Sequence, residues 1–170
     1  PLAPMALAID PLTPATLYVA DGANPGAVFK TTNSGANWQP LGSIFFVRSI
    51  AVSPHTAGVV YAATDQGIFK STNGGASWSP FTFKTGKIVF DPVSSSILYW
   101  LTSASSSSPE GLFKSTNTGQ TWVAVNKGLN TPHAVTLAID PLRPSTLYLP
   151  SATAGGIERI VTKMNPAGSA

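Results

Sequence analysis

Phe69-Lys70-Ser71-Thr72-Asn73-Gly74-Gly75-Ala76-Ser77-Trp78 decides the fold, because the chain carries this stretch three times. The earlier copy is Phe29-Lys30-Thr31-Thr32-Asn33-Ser34-Gly35-Ala36-Asn37-Trp38, and the later one is Phe113-Lys114-Ser115-Thr116-Asn117-Thr118-Gly119-Gln120-Thr121-Trp122. Upstream of each runs a second echo: Leu7-Ala8-Ile9-Asp10-Pro11, Ile50-Ala51-Val52-Ser53-Pro54, Ile88-Val89-Phe90-Asp91-Pro92, and a fourth time Leu137-Ala138-Ile139-Asp140-Pro141. Between the two echoes comes an apolar-tyrosine pair, at Leu17-Tyr18, Val60-Tyr61, Leu98-Tyr99 and Leu147-Tyr148. Self-similarity at a spacing of about forty residues marks a repeat architecture and overrides any assignment made segment by segment.

Each unit reads as four short strands, A to D. Arg48 to Val52, Val59 to Ala63, Gly67 to Ser71 and Trp78 to Phe83 are rich in β-branched and aromatic residues and are parted by Pro, Gly, Asn and Asp clusters. This pattern predicts an all-β protein, a β-propeller of four-stranded antiparallel blades, with solenoid stacking as the competing arrangement. About four blades are present, approximately residues 5–43, 44–83, 84–131 and 132–170 of one domain or propeller fragment spanning 1–170. The fourth lacks its Asn-Gly-Trp segment.

The recurring segment has a mechanical reading. An Asn side chain accepts hydrogen bonds from backbone N–H groups two residues on, glycine supplies the positive φ of a tight hairpin, and the tryptophan buries a large ring against the next sheet. Asn33, Gly35, Trp38, Asn73, Gly75, Trp78, Asn117, Gly119 and Trp122 are thereby assigned structural roles. Asp10, Asp91 and Asp140 start Asp-Pro turns in the same spirit. Lys30, Lys70 and Lys114 recur in register, and a long stem lying over the adjacent tryptophan accounts for them without a partner.

Ser71-Thr72-Asn73-Gly74-Gly75-Ala76-Ser77-Trp78 resembles the Asp-box, or bacterial neuraminidase repeat, whose pattern is Ser/Thr, any residue, Asp, any residue, Gly, any residue, Thr/Ser, then Trp or Phe. The resemblance recurs three times and covers most of the chain, with Asn33, Asn73 and Asn117 standing where the family has Asp. It implies a propeller and leaves the function open. Proteins built from such repeats include sialidases, xyloglucan-cleaving glycoside hydrolases, sortilin-type receptors and the photosystem II assembly factor, so the fold is shared by enzymes, receptors and assembly factors.

Composition narrows the function classes. Of 170 residues 43% are hydrophobic, enough for a packed core, and only 10% are charged. The net charge of +3 is scattered as single residues, which argues against nucleic acid as a partner. Cysteine is absent, removing disulfides, thiolate metal sites and cysteine nucleophiles together. No stretch approaches eighteen unbroken apolar residues, and a start at Pro1 reads as a processed chain or as part of a longer one.

A glycoside hydrolase needs two carboxyl groups facing each other across the scissile bond. Of the seven acids, Asp10, Asp91 and Asp140 share a turn position, Asp21 and Asp65 follow strand B, Glu110 stands beside Gly111, and Glu158 replaces a repeated phenylalanine. Arg48, Arg143 and Arg159 are not expected to converge on a substrate carboxylate as a sialidase requires. Tyr18, Tyr61, Tyr99 and Tyr148 read as core, and His55 as a solvated turn residue. With two histidines and no cysteine, metal-ligand spacing is missing; no catalytic residue, metal or cofactor is assigned.

In an up-and-down blade the A–B and C–D turns share one face, and the B–C loops and D–A crossovers share the other. Length variation falls on the second face, where recognition on a rigid scaffold is usually placed. The candidate contacts there are Phe45, Phe46, Arg48, Lys84, Glu110, Lys127 and His133, with early strand A packing as the competing role for Phe45 and Phe46. The expected function is a non-enzymatic binding or assembly module, exported to a periplasmic, extracellular or cell-surface setting, whose ends are covered by a protein partner or by self-assembly. The alternative is a glycan-binding or glycoside-hydrolase-like propeller fragment. Neither nucleic acid nor a membrane span enters either reading.

Overall fold

The computed structural model describes residues 4–21, 27–42, 44, 46–102, 111–127, 136–150 and 157–161. Among them every regular element is a strand, and the strands form four antiparallel sheets. The first sheet runs β1 (Pro4–Ile9), β2 (Leu17–Asp21), β3 (Val28–Thr31), β4 (Gln39–Leu41) in simple up-and-down order. The second repeats it with β5 (Val47–Val52), β6 (Val60–Thr64), β7 (Gly67–Ser71) and β8 (Ser79–Thr82), and the third with β9 (Gly86–Phe90), β10 (Leu98–Thr102), β11 (Gly111–Ser115) and β12 (Val123–Ala124). The fourth has three described strands, β13 (Ala138–Ile139), β14 (Thr146–Pro150) and β15 (Ile157–Val161). The expected β-propeller architecture is present, and the register places Glu158 opposite Leu149 just as Phe29, Phe69 and Phe113 stand opposite Val19, Ala62 and Trp100.

The alternation of apolar side chains explains where the cores lie. Successive side chains of a strand point to opposite faces, so a sheet apolar on both faces must be covered twice. One cluster joins Tyr18, Ala20 and Val28 of the first sheet to Ile50, Val60 and Ala62 of the second. The next joins Tyr61, Ala63 and Ile68 to Ile88, Leu98 and Trp100, and the last joins Tyr99, Leu101 and Leu112 to Leu137, Leu147 and Leu149. Each core thus sits between consecutive sheets. One repeat position records this directly: Ile50, Ile88 and Leu137 are 8%, 3% and 7% exposed, whereas Leu7, with no described sheet before it, is 63% exposed.

The Asn-Gly-Trp turns fasten the sheets internally and then to each other. Ser71 Oγ donates to Asn73 Oδ1 at 2.9 Å while accepting the N–H groups of Asn73 and Gly75 at 3.2 and 2.8 Å. Thr31 and Ser115 make the same three bonds in the other copies. The Asn Oδ1 also accepts an N–H, from Asn37, Ser77 and Thr121 in turn, each at 2.9 Å. The reach is therefore four residues, not the two expected, because the N–H two residues on, that of Gly35, Gly75 or Gly119, is already donated to the upstream hydroxyl. Ser34, Gly74 and Thr118 have φ of 57°, 67° and 57°, followed by Gly35, Gly75 and Gly119 at 92°, 88° and 87°. Two consecutive positive φ values with a bond from residue i+3 back to residue i are features of a type I′ hairpin turn.

The asparagine turn of each later sheet rests on the last strand of the sheet before it. A Cβ on Gly75 would strike Leu41 of β4, and one on Gly119 would strike Phe81 of β8. Trp78 packs into the cluster of the first and second sheets, and Trp122 into that of the second and third, with its ring 6.4 Å from Phe81. The indole thus joins its sheet to the preceding one, the reverse of the expected direction, and Trp38 remains 39% exposed. The repeated lysines also differ from expectation: Lys30, Lys70 and Lys114 lie over Tyr18, Tyr61 and Tyr99 at 5.4, 5.5 and 5.6 Å, not over tryptophan, because each is the cross-strand partner of that tyrosine. Lys30 Nζ goes on to donate to the Gly74 carbonyl at 3.2 Å, a further tie between sheets.

Two expectations follow. Gly35→Ala meets only the left-handed φ and should cost about 1 kcal/mol, whereas Gly75→Ala and Gly119→Ala add overpacking against Leu41 and Phe81 and should cost about 1–3 kcal/mol more; urea denaturation of the three variants measures the difference. The Tyr61 hydroxyl is pushed up to about 12 by burial, against about 10 in an unfolded chain. The contribution of this neutral phenol to stability is complete below pH 10 and is lost as pH rises toward 12, the deprotonated form being favoured in the unfolded chain first. Denaturation midpoints at pH 8, 10 and 11.5 should fall in that order, a trend opposed by Lys114, whose half-buried ammonium is pushed down by desolvation.

Candidate functional site

The sheet topology separates two faces. Ser34 N–H donates to the Ala15 carbonyl, Gly74 N–H to Gly58 and Thr118 N–H to Ser96, which ties each β3–β4-type turn to the β1–β2-type turn of its own sheet. On this face Asp10, Asp91 and Asp140 each accept, through Oδ1, the N–H groups two and three residues ahead, as the Asp-Pro reading expects. His55 also lies here, and it is no solvated turn residue. Its Nε2 is 2.8 Å from the Asp91 carbonyl; since a carbonyl only accepts, Nε2 carries the proton and clips the second sheet to the third.

The opposite face gathers the described candidates Phe46, Arg48 and Lys84. Phe46 sits immediately before β5 at φ 57° and is 41% exposed, while Val47, the first residue of the strand, is buried. A bulky side chain in the left-handed region is an outlier that the surrounding structure must hold in place. The aromatic ring is partly exposed, and the fully buried side chain that opens the strand is that of Val47.

Arg48 is engaged by Asp65, from the turn between β6 and β7. Nε and Nη2 of the guanidinium donate to the two carboxylate oxygens at 2.9 and 2.8 Å, a bidentate fork. Each partner perturbs the other: the Asp65 carboxylate raises the Arg48 pKa, and the Arg48 hydrogen bond lowers that of Asp65. Both side chains are about half exposed, so the pair orients Arg48 more than it stabilises the fold. A cavity of about 190 Å³ lies beside them, lined by Ala63, Thr64, Thr85 and Gly86. Arg143 sits on the other face, next to Asp140, so these two arginines do not converge.

Lys84 follows β8, its own N–H donating to Thr82 Oγ1 at 3.2 Å, and its ammonium lies 5.9 Å from the Trp100 ring centre. Lys127 is exposed beyond β12, and Asn126 before it accepts the Leu112 N–H at 2.7 Å. Phe45, Glu110 and His133 lie outside the described residues, as does the side chain of Glu158. The residue missed by sequence reasoning is Trp100. It breaks the repeat, occupying the position that holds Val19, Ala62 and Leu149 elsewhere, and that departure was the available signal. Among the described residues no group of three or more His, Asp or Glu side chains could hold a metal ion, and no helix is long and apolar enough to cross a membrane.

No family model and no curated relative matches the chain. Solved structures do. The GH74 enzyme of Niastella koreensis superposes with a TM-score of 0.73 at 24% identity, over 94% of this chain and 29% of that one. YCF48 from Cyanidioschyzon merolae gives 0.59 at 14% identity, over 97% and 58%. YCF48 bound to D1 peptide gives 0.51 at 14%, over 92% and 53%. At these identities the likeness establishes the β-propeller fold. The chain spans under a third of the GH74 enzyme and a little over half of YCF48.

The geometry of Phe46 yields one expected outcome. Phe46→Gly removes the left-handed strain of about 1 kcal/mol, which offsets the greater freedom of glycine in the unfolded chain. The thermal midpoint should stay within a few degrees of wild type; a loss of more than about 2 kcal/mol would mean that the ring packs instead of projecting.

Proposed function

We propose that the chain is a non-enzymatic binding or assembly module of the Asp-box type, acting outside the cytoplasm, at the cell surface or in a periplasm. It recognises a protein partner through the face that carries the B–C loops and D–A crossovers. The observation that carries this reading is the division of labour among polar groups. Asp10, Asp91 and Asp140 are consumed by their own turns, Asp65 by Arg48, and the three asparagines by their hairpins. The candidate side chains Phe46, Arg48 and Lys84 share the other face, whereas His55, which also departs from the repeat, is taken up by the Asp91 carbonyl. That YCF48 has been solved with a bound D1 peptide supports a peptide-binding use of the same architecture.

A glycan-binding or hydrolase-like role is the second reading, favoured by the likeness to a GH74 enzyme. One experiment separates them. The chain is incubated with xyloglucan and, in parallel, with an array of overlapping peptides. The proposed function expects no release of reducing sugar and saturable binding to a subset of peptides, weakened at least about fivefold by a Phe46→Ala, Arg48→Ala double variant. Xyloglucan cleavage, or saturable xyloglucan binding without peptide binding, would establish the second reading in its place.

A further inference from the structure

Between the second and third sheets the structure holds an aromatic groove of about 420 Å³ that the repeat does not explain. Its walls are Phe81 of β8, Trp100 of β10, Phe113 of β11 and Trp122 of the third asparagine turn. Trp100 stands with its ring centre 5.7 Å from both Phe113 and Trp122, and Phe81 meets Trp122 edge-on. At the junction of the first and second sheets the corresponding residues are Leu41, Ala62, Phe69 and Trp78. Phe81 and Trp100, both larger than their counterparts, turn an ordinary inter-sheet seam into a ring-lined slot.

The polar groups at this slot point to the charge of its occupant. Lys84 lines it, exposed and within cation–π range of Trp100, and Thr82 adds a hydroxyl, that of Thr102 being bonded to both the N–H and the carbonyl of Gly111. No carboxylate lines the groove, and the described aspartates of the neighbouring turns are committed elsewhere. The Trp100 indole N–H packs against Gly86 of β9 and, like that of Trp78 at the first seam, has no partner among the described residues. The volume suits one or two rings.

We infer that this groove, which runs from the third asparagine turn at Gly119 and Trp122 to Lys84 and Thr102 on the partner-binding face proposed above, is a specificity pocket for that partner: it takes a peptide segment in which an aromatic side chain is followed by an acidic one, the ring stacking among Phe81, Trp100 and Trp122 and the carboxylate meeting Lys84. The inference rests on the protein-partner reading and names the partner's chemistry.

The test uses the whole chain, labelled with ¹⁵N. Its 4 tryptophans give four indole N–H signals, of which two line the groove and Trp38 lies in the first sheet as an internal control. The blocked peptide acetyl-Gly-Phe-Asp-Gly-amide should shift the Trp100 and Trp122 signals with a dissociation constant on the order of 1 mM, as expected for one anchored side chain, and leave Trp38 still. Lys84→Gln, an exposed change that keeps the fold, and replacement of the peptide's Asp by Asn should each weaken binding about two- to fivefold. Trp100→Val, the residue of the first sheet at this position, should abolish the response. Absence of shifts at about 10 mM peptide, equal shifts at Trp38, equal affinity for the Asn peptide, or a larger response of the same indoles to neutral xyloglucan oligosaccharide would each overturn the inference. Peptide-array binding that persists undiminished in Lys84→Gln would retire the groove and leave the protein-partner reading standing.

Discussion

A buried hydroxyl at the end of the third strand of each sheet governs the rest of the molecule. Thr31, Ser71 and Ser115, almost without solvent exposure, each accept two backbone N–H groups and donate to an asparagine. That arrangement forces two consecutive residues to positive φ, the second of them a glycine, and at Gly75 and Gly119 the Leu41 and Phe81 side chains of the previous sheet also lie where a Cβ would be. A local turn requirement and a long-range packing requirement thus converge on one atom's absence. Trp78 and Trp122, three residues after those glycines, pack into the seams so created.

Much of this was legible from recurrence. The strand boundaries follow from apolar runs cut by Pro and Gly, and the acids Asp10, Asp91 and Asp140 behave as their shared position implies. Recurrence identifies that a residue has a mechanical job and says less about which neighbour it meets. The recurrence of lysine beside tryptophan suggests that pairing, whereas cross-strand register gives the lysines tyrosine, and it does not tell that the Trp78 and Trp122 indoles reach back to the preceding sheet. Direction along the stack is a property of sheet twist and handedness, which a sequence pattern does not encode.

Residues that depart from the repeat were the harder cases. His55 stands where the other units carry Leu12, Val93 and Leu142 after the turn proline, and its bond to the Asp91 carbonyl depends on the distance between two sheets. Trp100 was hidden by being one more apolar residue in a buried strand. Arg48 was legible as a residue of the variable face, but its pairing with Asp65 joins positions seventeen apart across a hairpin. Departure from the repeat on this scaffold marks residues whose contacts the repeat cannot supply, between sheets for His55 and across a hairpin for Arg48.

The placement of the cores has a mechanical consequence. With every apolar cluster shared by two sheets, no sheet owns an interior, and stability becomes a sum of weak intrinsic terms and strong nearest-neighbour couplings. The two middle sheets are each coupled on both sides. The outer two are coupled on one side only among the described residues, so a substitution at a seam is felt by two sheets at once while the far sheets keep their own seams.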